Sequence, residues 1–122
     1  MKHDFRYKFS RFSYPMVNIK QRIVYHSPTG FNWGYDGSGS ADLALNVLDD
    51  ALRRLKWPGR KITVGQVKCY ELAWALHQDF KWHFIAQLPY QGGEIALSEI
   101  CEWLEKYSHS FREYRQQQGG AV

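Results

Sequence analysis

Cysteine is scarce. Cys69 and Cys101 are the whole complement of the 122-residue chain. Two distant thiols form no disulfide framework, and without a C-x-x-C pair there is no zinc-ribbon or thioredoxin-like motif. Both are expected to lie inside helices as free thiols in a reducing cytosol. Long apolar runs are also missing: none reaches the roughly 18 residues that a membrane-crossing helix needs. The opening stretch MKHDFRYKFSR has no apolar core of a secretory leader. These absences point to a cytoplasmic protein with no membrane partner.

Catalytic and metal motifs are lacking too. The five histidines are His3, His26, His77, His83 and His109, and no H-E-x-x-H is among them. His77 and His83 would project about 120° apart on one helix, so they cannot share a metal without a third element. No metal site and no cofactor are expected. Asp79 and His83 read as a surface i,i+4 ion pair rather than a dyad, and Cys69 reads as structural rather than as a nucleophile.

What the chain has in abundance is aromatic residues: 5 Trp, 8 Tyr and 7 Phe, or 16%. Large rings bury much area per residue, which helps a small domain build a core. The length suits one domain, expected over residues 1–115, with a frayed polar tail at 116–122. Net charge is +4, which permits a polyanionic partner without demanding one.

Residues 5–9 alternate, with Phe5, Tyr7 and Phe9 on one face and Arg6 and Lys8 on the other, as in a half-buried strand. Alternation resumes from Val17 to Tyr25, with Lys20 and Arg22 on the polar side. Ser27-Pro28-Thr29-Gly30 is a turn signal, and Phe31, Trp33 and Tyr35 suggest a third strand. An amphipathic helix is expected over Leu43–Leu55, supported by Asp49–Arg53 and Asp50–Arg54 pairs, with Asp42, Asn46 and Asp49 on its polar side. Thr63 and Gln66 have capping-box spacing, which predicts a second helix running to Leu88. A third is expected from Ser98, carrying Ile100, Trp103, Leu104, Tyr107, Phe111 and Tyr114. The expected fold is α+β: a three-stranded antiparallel sheet covered by about three helices, in the order β-β-β-α-α-α.

Gly30 to Asp42 is the most distinctive stretch, with glycines among aromatics running into a helix. Gly37, Ser38 and Gly39 could aim N–H groups at an anion. The plainer reading is a tight turn capped by Gly39 or Ser40, with Asp42 in the favourable first helical turn. Asp36 and Asp42 would repel a phosphate, and no lysine within the segment offsets them. A cation-holding or acid–base role for that pair is a further alternative. Trp33 and Tyr35 are expected as buried anchors.

The segment Gly30-Phe31-x-Trp33-Gly34-Tyr35-x-Gly37-Ser38-Gly39-x-Ala41-Asp42-Leu43-Ala44-Leu45-Asn46-x-Leu48 resembles the signature of a domain family of unknown function in small proteins of bacteria, plasmids and phages. Phe80-Lys81, Leu88-Pro89 and Ile100 to Leu104 resemble its later landmarks. The family often has proline where this chain has Ser40. The resemblance implies a mobile-element setting and no established activity.

The leading expectation is a small non-catalytic binding protein that acts through a macromolecular surface, most simply on a protein partner; the family setting suggests a phage- or plasmid-encoded accessory or counter-defence factor. The second is nucleic-acid binding through a basic strand face made of Arg6, Lys8, Lys20 and Arg22. The third is nucleotide or small-anion binding at the glycine turn.

Overall fold

The computed structural model describes residues 4–27 and 30–118. The elements in chain order are β1 (Arg6–Arg11), β2 (Pro15–Val17), α1 (Ser38–Arg54), β3 (Lys61–Val64), β4 (Val67–Tyr70), α2 (Glu71–Phe80), a π-helical turn (Lys81–Ile85), β5 (Gly92–Ala96), α3 (Leu97–Tyr107) and α4 (His109–Gln117). The fold is therefore mixed α and β, with a small antiparallel sheet as expected. The strand order and the helix count differ from the expectation.

The alternation at 6–10 makes β1 as expected, with Tyr7 and Phe9 buried and Arg6 and Lys8 exposed. β1 is the central strand of the sheet β2-β1-β5, and both pairings are antiparallel. β5 has no legible signal in sequence, because Gly-Gly-Glu-Ile-Ala offers only one large apolar side chain.

The second strand stops at Val17. The Asn18 side chain takes over the ladder there: its Oδ1 accepts from the Lys8 N–H at 2.8 Å and its amide donates to the Arg6 carbonyl at 3.0 Å. The chain then leaves the sheet and runs as an extended strap along α1. Phe31, Trp33 and Tyr35 form no strand. The expected turn at 27–30 falls partly on Pro28 and Thr29, outside the described residues.

Helix α1 is the centre of the molecule. Every residue from Gly39 to Asp49 is buried, so the polar side read as solvated is covered. Three polar residues at helical spacing hold what covers it. Asp42 accepts from the N–H groups of Tyr25, His26 and Ser27 at 3.1, 2.8 and 2.8 Å. Asn46 accepts from Arg22 and Ile23, both at 2.9 Å. Asp49 accepts from the Tyr70 N–H at 2.7 Å and pairs with Arg22 and Arg53. A buried polar group is tolerated only when its bonds are made. Here the polar stripe knits the strap and β4 onto the helix. The expected Asp49–Arg53 and Asp50–Arg54 pairs are both formed, at 3.0 and 2.6 Å.

The capping box at Thr63 does not start a helix. Thr63 lies in β3, and Gly65 and Gln66 turn the chain with φ of +56° and +71°. Two consecutive positive φ values are the mark of a tight two-residue hairpin, and the β-branched Ile62, Thr63, Val64 and Val67 suit strands. Cys69 consequently lies in β4 rather than a helix, while Cys101 is in α3 as expected; both are buried free thiols. α2 begins at Glu71 and passes into the π turn, closed by Ala86 N–H to the Lys81 carbonyl at 2.8 Å.

The third expected helix is two. Ser108 is extended, and its hydroxyl accepts from the Phe111 N–H at 3.2 Å, which ends α3 and caps α4. α4 runs to Gln117, so the first residues of the expected frayed tail are helical, and 119–122 lie outside the described residues. Among the described residues no helix is long and apolar enough to cross a membrane.

Candidate functional site

The loop between the strap and α1 is fixed by contacts that make its composition intelligible. Trp33 is buried. Its indole N–H donates to the carbonyls of Pro89 and Tyr90 at 3.1 and 3.2 Å, and its ring stands edge-on to Phe9 with centroids 5.8 Å apart. Trp33 is thus the anchor expected from sequence. Tyr35 is not: its side chain is about half exposed, at 47%. Asp36 pairs with the buried Lys81, which also lies 5.2 Å from the Trp82 ring centroid.

The helix cap is Gly37, two to three residues before the expected positions, and it is extended with no side-chain cap bond. Residues 30–32 fold over the helix start. Asn32 N–H reaches the Gly39 carbonyl at 3.3 Å, and a Cβ on Gly39 would sit 3.0 Å from the Asn32 Cβ. Gly39 is glycine because of that close approach. Ser38 is exposed, whereas Gly39 and Ser40 are buried. Asp42 lies beyond the first helical turn and is engaged by the strap. Asp36 and Asp42 therefore do not converge on one site: one pairs with Lys81, the other with backbone amides.

Arg6 and Lys8 share the exposed side of β1, while Lys20 and Arg22 lie on the strap. Arg6 is paired with Glu94 at 2.8 Å and Asp4 at 3.8 Å. Lys8 is exposed and faces Glu94 across the β1–β5 ladder. Lys20 is exposed on the strap. Arg22 is turned onto α1, where it meets Asp49 and donates to the Lys68 carbonyl at 2.8 Å. A cleft of about 380 Å³ lies between Lys20, Arg22, Asp49, Asp50 and Arg53. Its carboxylates are already taken, since Asp50 accepts from the Tyr7 hydroxyl at 2.7 Å and pairs with Arg54.

The groups considered for chemistry are likewise placed in structural roles. Burial pushes the Cys69 thiol up to about 12 and the Cys101 thiol up to about 11, so neither supplies thiolate near neutrality. Asp79 and His83 form no ion pair; His83 instead packs on Phe84 and Trp103. His77 meets a residue that the helical spacing did not suggest. Its Nε2 lies 3.0 Å from the Nε2 of His26, and its Nδ1 donates to the Trp74 carbonyl at 2.7 Å. Among the described residues no cluster of three or more His, Cys, Asp or Glu side chains could hold a metal.

A feature invisible in sequence is the aromatic end of the sheet. Arg11, the last residue of β1, packs on the rings of Trp33 and Tyr90, with its guanidinium carbon 4.6 and 4.1 Å from their centroids. Its Nε donates to the Tyr90 carbonyl at 2.8 Å and its Nη2 to the Asn32 side chain at 3.0 Å. Tyr35 and Tyr90 line one pocket with Arg11 and Trp33, and both are exposed, as are Phe12 (88%) and Tyr14 in the adjoining β1–β2 turn. The β1–β2 turn carries Phe12 and Tyr14 to the same sheet end as Tyr90, because Arg11 pairs with Pro15 and Ser10 with Gly92.

Residues 12–57 match a family of unknown function (DUF6166). The matched segment begins at the β1–β2 turn and contains β2, the strap, the Trp33 loop and all of α1. No curated protein and no solved structure matches the chain.

Proposed function

We propose that the protein is a non-catalytic binding protein and that the aromatic end of its sheet is the surface that meets a protein partner. The observation that carries this reading is that Tyr35 and Tyr90 are exposed beside Arg11, and Phe12 and Tyr14 are exposed in the turn at the same sheet end. Exposing four large rings together forgoes the burial that stabilises a fold, and contiguous exposed apolar surface marks interaction sites. Tyr and Arg are also the side chains that most often anchor interfaces. The family resemblance adds the setting of an accessory or counter-defence factor of a phage or plasmid, acting in the cytoplasm as a single domain.

The nucleic-acid alternative has less support. It needs a track of free cations along a backbone, and Arg6 and Arg22 are already paired. The anion alternative at the glycine turn needs open helix N–H groups, and Gly39 and Ser40 are buried. The test is affinity capture from the native host with wild type and with Tyr35→Ser combined with Tyr90→Ser. Both substitutions are at exposed positions, so the fold should persist. Loss of a wild-type partner in the double variant supports the reading; identical partner sets overturn it.

A further inference from the structure

We propose that Arg11 is the floor of a carboxylate subsite, which takes an Asp or Glu side chain from an apolar-flanked segment of the protein partner. The inference rests on the binding surface proposed above and names the chemistry that surface selects.

Arg11 stands apart by its charge balance. Of the eight described arginines, six have a carboxylate partner: Arg6, Arg22, Arg53, Arg54, Arg60 and Arg115. Arg112 has none, yet it bonds the carbonyl of Glu105 at 2.9 Å, on a helix pair that carries its own acids. Arg11 has no acid among its contacts. It lies in a pocket of about 200 Å³ lined by Arg11, Asn32, Trp33, Gly34, Tyr35 and Tyr90, with no acidic side chain in the lining. Asp36, the neighbour in sequence of the lining residue Tyr35, is held by Lys81.

The guanidinium is also already positioned. Two of its five donors are used, on Tyr90 and Asn32, and Nη1 makes no bond among the described residues. The rings of Trp33 and Tyr90 shield it from water, which strengthens what it can do for an anion. A side chain fixed before binding loses little entropy on binding. The remaining N–H groups suit a planar carboxylate, which arginine can grip through two bonds.

Charge and size decide between anions. One unpaired guanidinium matches a single negative charge. Phosphopeptide sites use clusters of arginines, and nucleic-acid surfaces use a run of cations. The volume suits a short acidic side chain and is below that of ordinary small-ligand pockets. The exposed Tyr35 and Tyr90 rings that line the pocket, with Phe12 and Tyr14 exposed in the turn at the same sheet end, call for apolar residues beside the acid.

The experiment is an NMR titration of the ¹⁵N-labelled full chain, read at the Arg11 Nε–H and Trp33 indole N–H signals. The probe is a blocked peptide with one Glu between two Phe residues; the control has Gln in place of Glu, and a thymidine oligonucleotide is a third arm. The Glu peptide is expected to shift both signals saturably. The Gln peptide, or Arg11→Gln, should weaken binding at least tenfold, while Arg11→Lys should retain an intermediate affinity. No shift, equal shifts with Glu and Gln peptides, or shifts from the oligonucleotide alone would overturn the subsite. Partner capture separates the two levels. If Arg11→Gln retains a partner that the Tyr35/Tyr90 double variant loses, the surface stands and the carboxylate subsite fails. If both variants retain every partner, the surface itself fails.

Discussion

Asn46 on α1 bonds the main chain of Ile23 in both directions, accepting from its N–H at 2.9 Å and donating to its carbonyl at 2.8 Å. One side-chain amide thus does the work of a strand neighbour for the strap. Asn46 also donates to the Asp42 carbonyl at 2.8 Å, so its orientation is fixed. With Asp42 and Asp49 it turns the polar side of a helix into the docking edge for the segment that leads to the aromatic end.

Replacing Asn46 with Leu keeps the branched shape and the number of side-chain heavy atoms and removes the bonds. Ile23 is fully buried, so its N–H would be left without a partner and its carbonyl with only the long 3.5 Å bond from Gln21 Nε2, while the Arg22 N–H would also lose its acceptor. Each such group costs about 1–3 kcal/mol, so Asn46→Leu should lower unfolding stability by roughly 3 kcal/mol. Urea denaturation measures this. A loss under about 1 kcal/mol would mean that the strap is held mainly by its apolar contacts.

Trp33 and Tyr35 should separate cleanly. Trp33 is enclosed and doubly bonded through its indole, so Trp33→Ala should cost about 3–5 kcal/mol. Tyr35 is half exposed, and Tyr35→Ala should stay within about 0.5 kcal/mol of wild type, as surface substitutions usually do. Comparable losses at both positions would show that the Tyr35 ring is a packing element rather than a presented one.

This pair also shows what the sequence could and could not reveal. Alternation at 5–9 found β1 because one face of that strand packs and the other is solvated. The 3.6-residue pattern found α1 for its apolar side. The same pattern misjudged Asp42, Asn46 and Asp49, since a wheel cannot tell a polar side facing water from one facing backbone amides. Tyr35 alternates with Trp33 as strand residues would, yet the Gly34 N–H bonds the Ile85 carbonyl and the chain turns away. The aromatic end was not legible because it joins Arg11 and Tyr90, 79 residues apart, and no local periodicity records such a meeting.

The β3–β4 turn offers a stabilising change. Gln66 holds φ at +71°, a conformation that costs a side-chain-bearing residue about 1–2 kcal/mol. Gln66→Gly should therefore raise stability by about 1 kcal/mol, less than the full relief because glycine adds freedom to the unfolded chain. Gly65 should behave oppositely. A Cβ there would lie 2.4 Å from the Val24 carbonyl oxygen, so Gly65→Ala should destabilise the protein and loosen the strap beside the hairpin. Thermal melts of the two variants should move in opposite directions, and a fall for Gln66→Gly would contradict the strain at that position.

Stability should fall on acidification through the His26–His77 contact. The folded protein lowers the His77 pKa below the usual 6.5, chiefly by burial, with His26 and Lys81 acting in the same direction; the Trp74 carbonyl and the Asp42 carboxylate act against it. His77 Nδ1 donates to the Trp74 carbonyl, so its Nε2 is the natural acceptor for a proton carried by His26. A proton on Nε2 of His77 would break that arrangement in a buried site. Below about pH 6.5 the unfolded chain takes up this proton and the folded chain does not, so stability is full above that pH and declines beneath it. One proton sets the limit at about 1.4 kcal/mol per pH unit. Unfolding free energies at pH 7.5, 6.5 and 5.5 should decline for wild type, and the slope below 6.5 should be shallower in His77→Gln even if that variant starts from lower stability. Equal slopes in the two proteins would move the acid sensitivity away from His77.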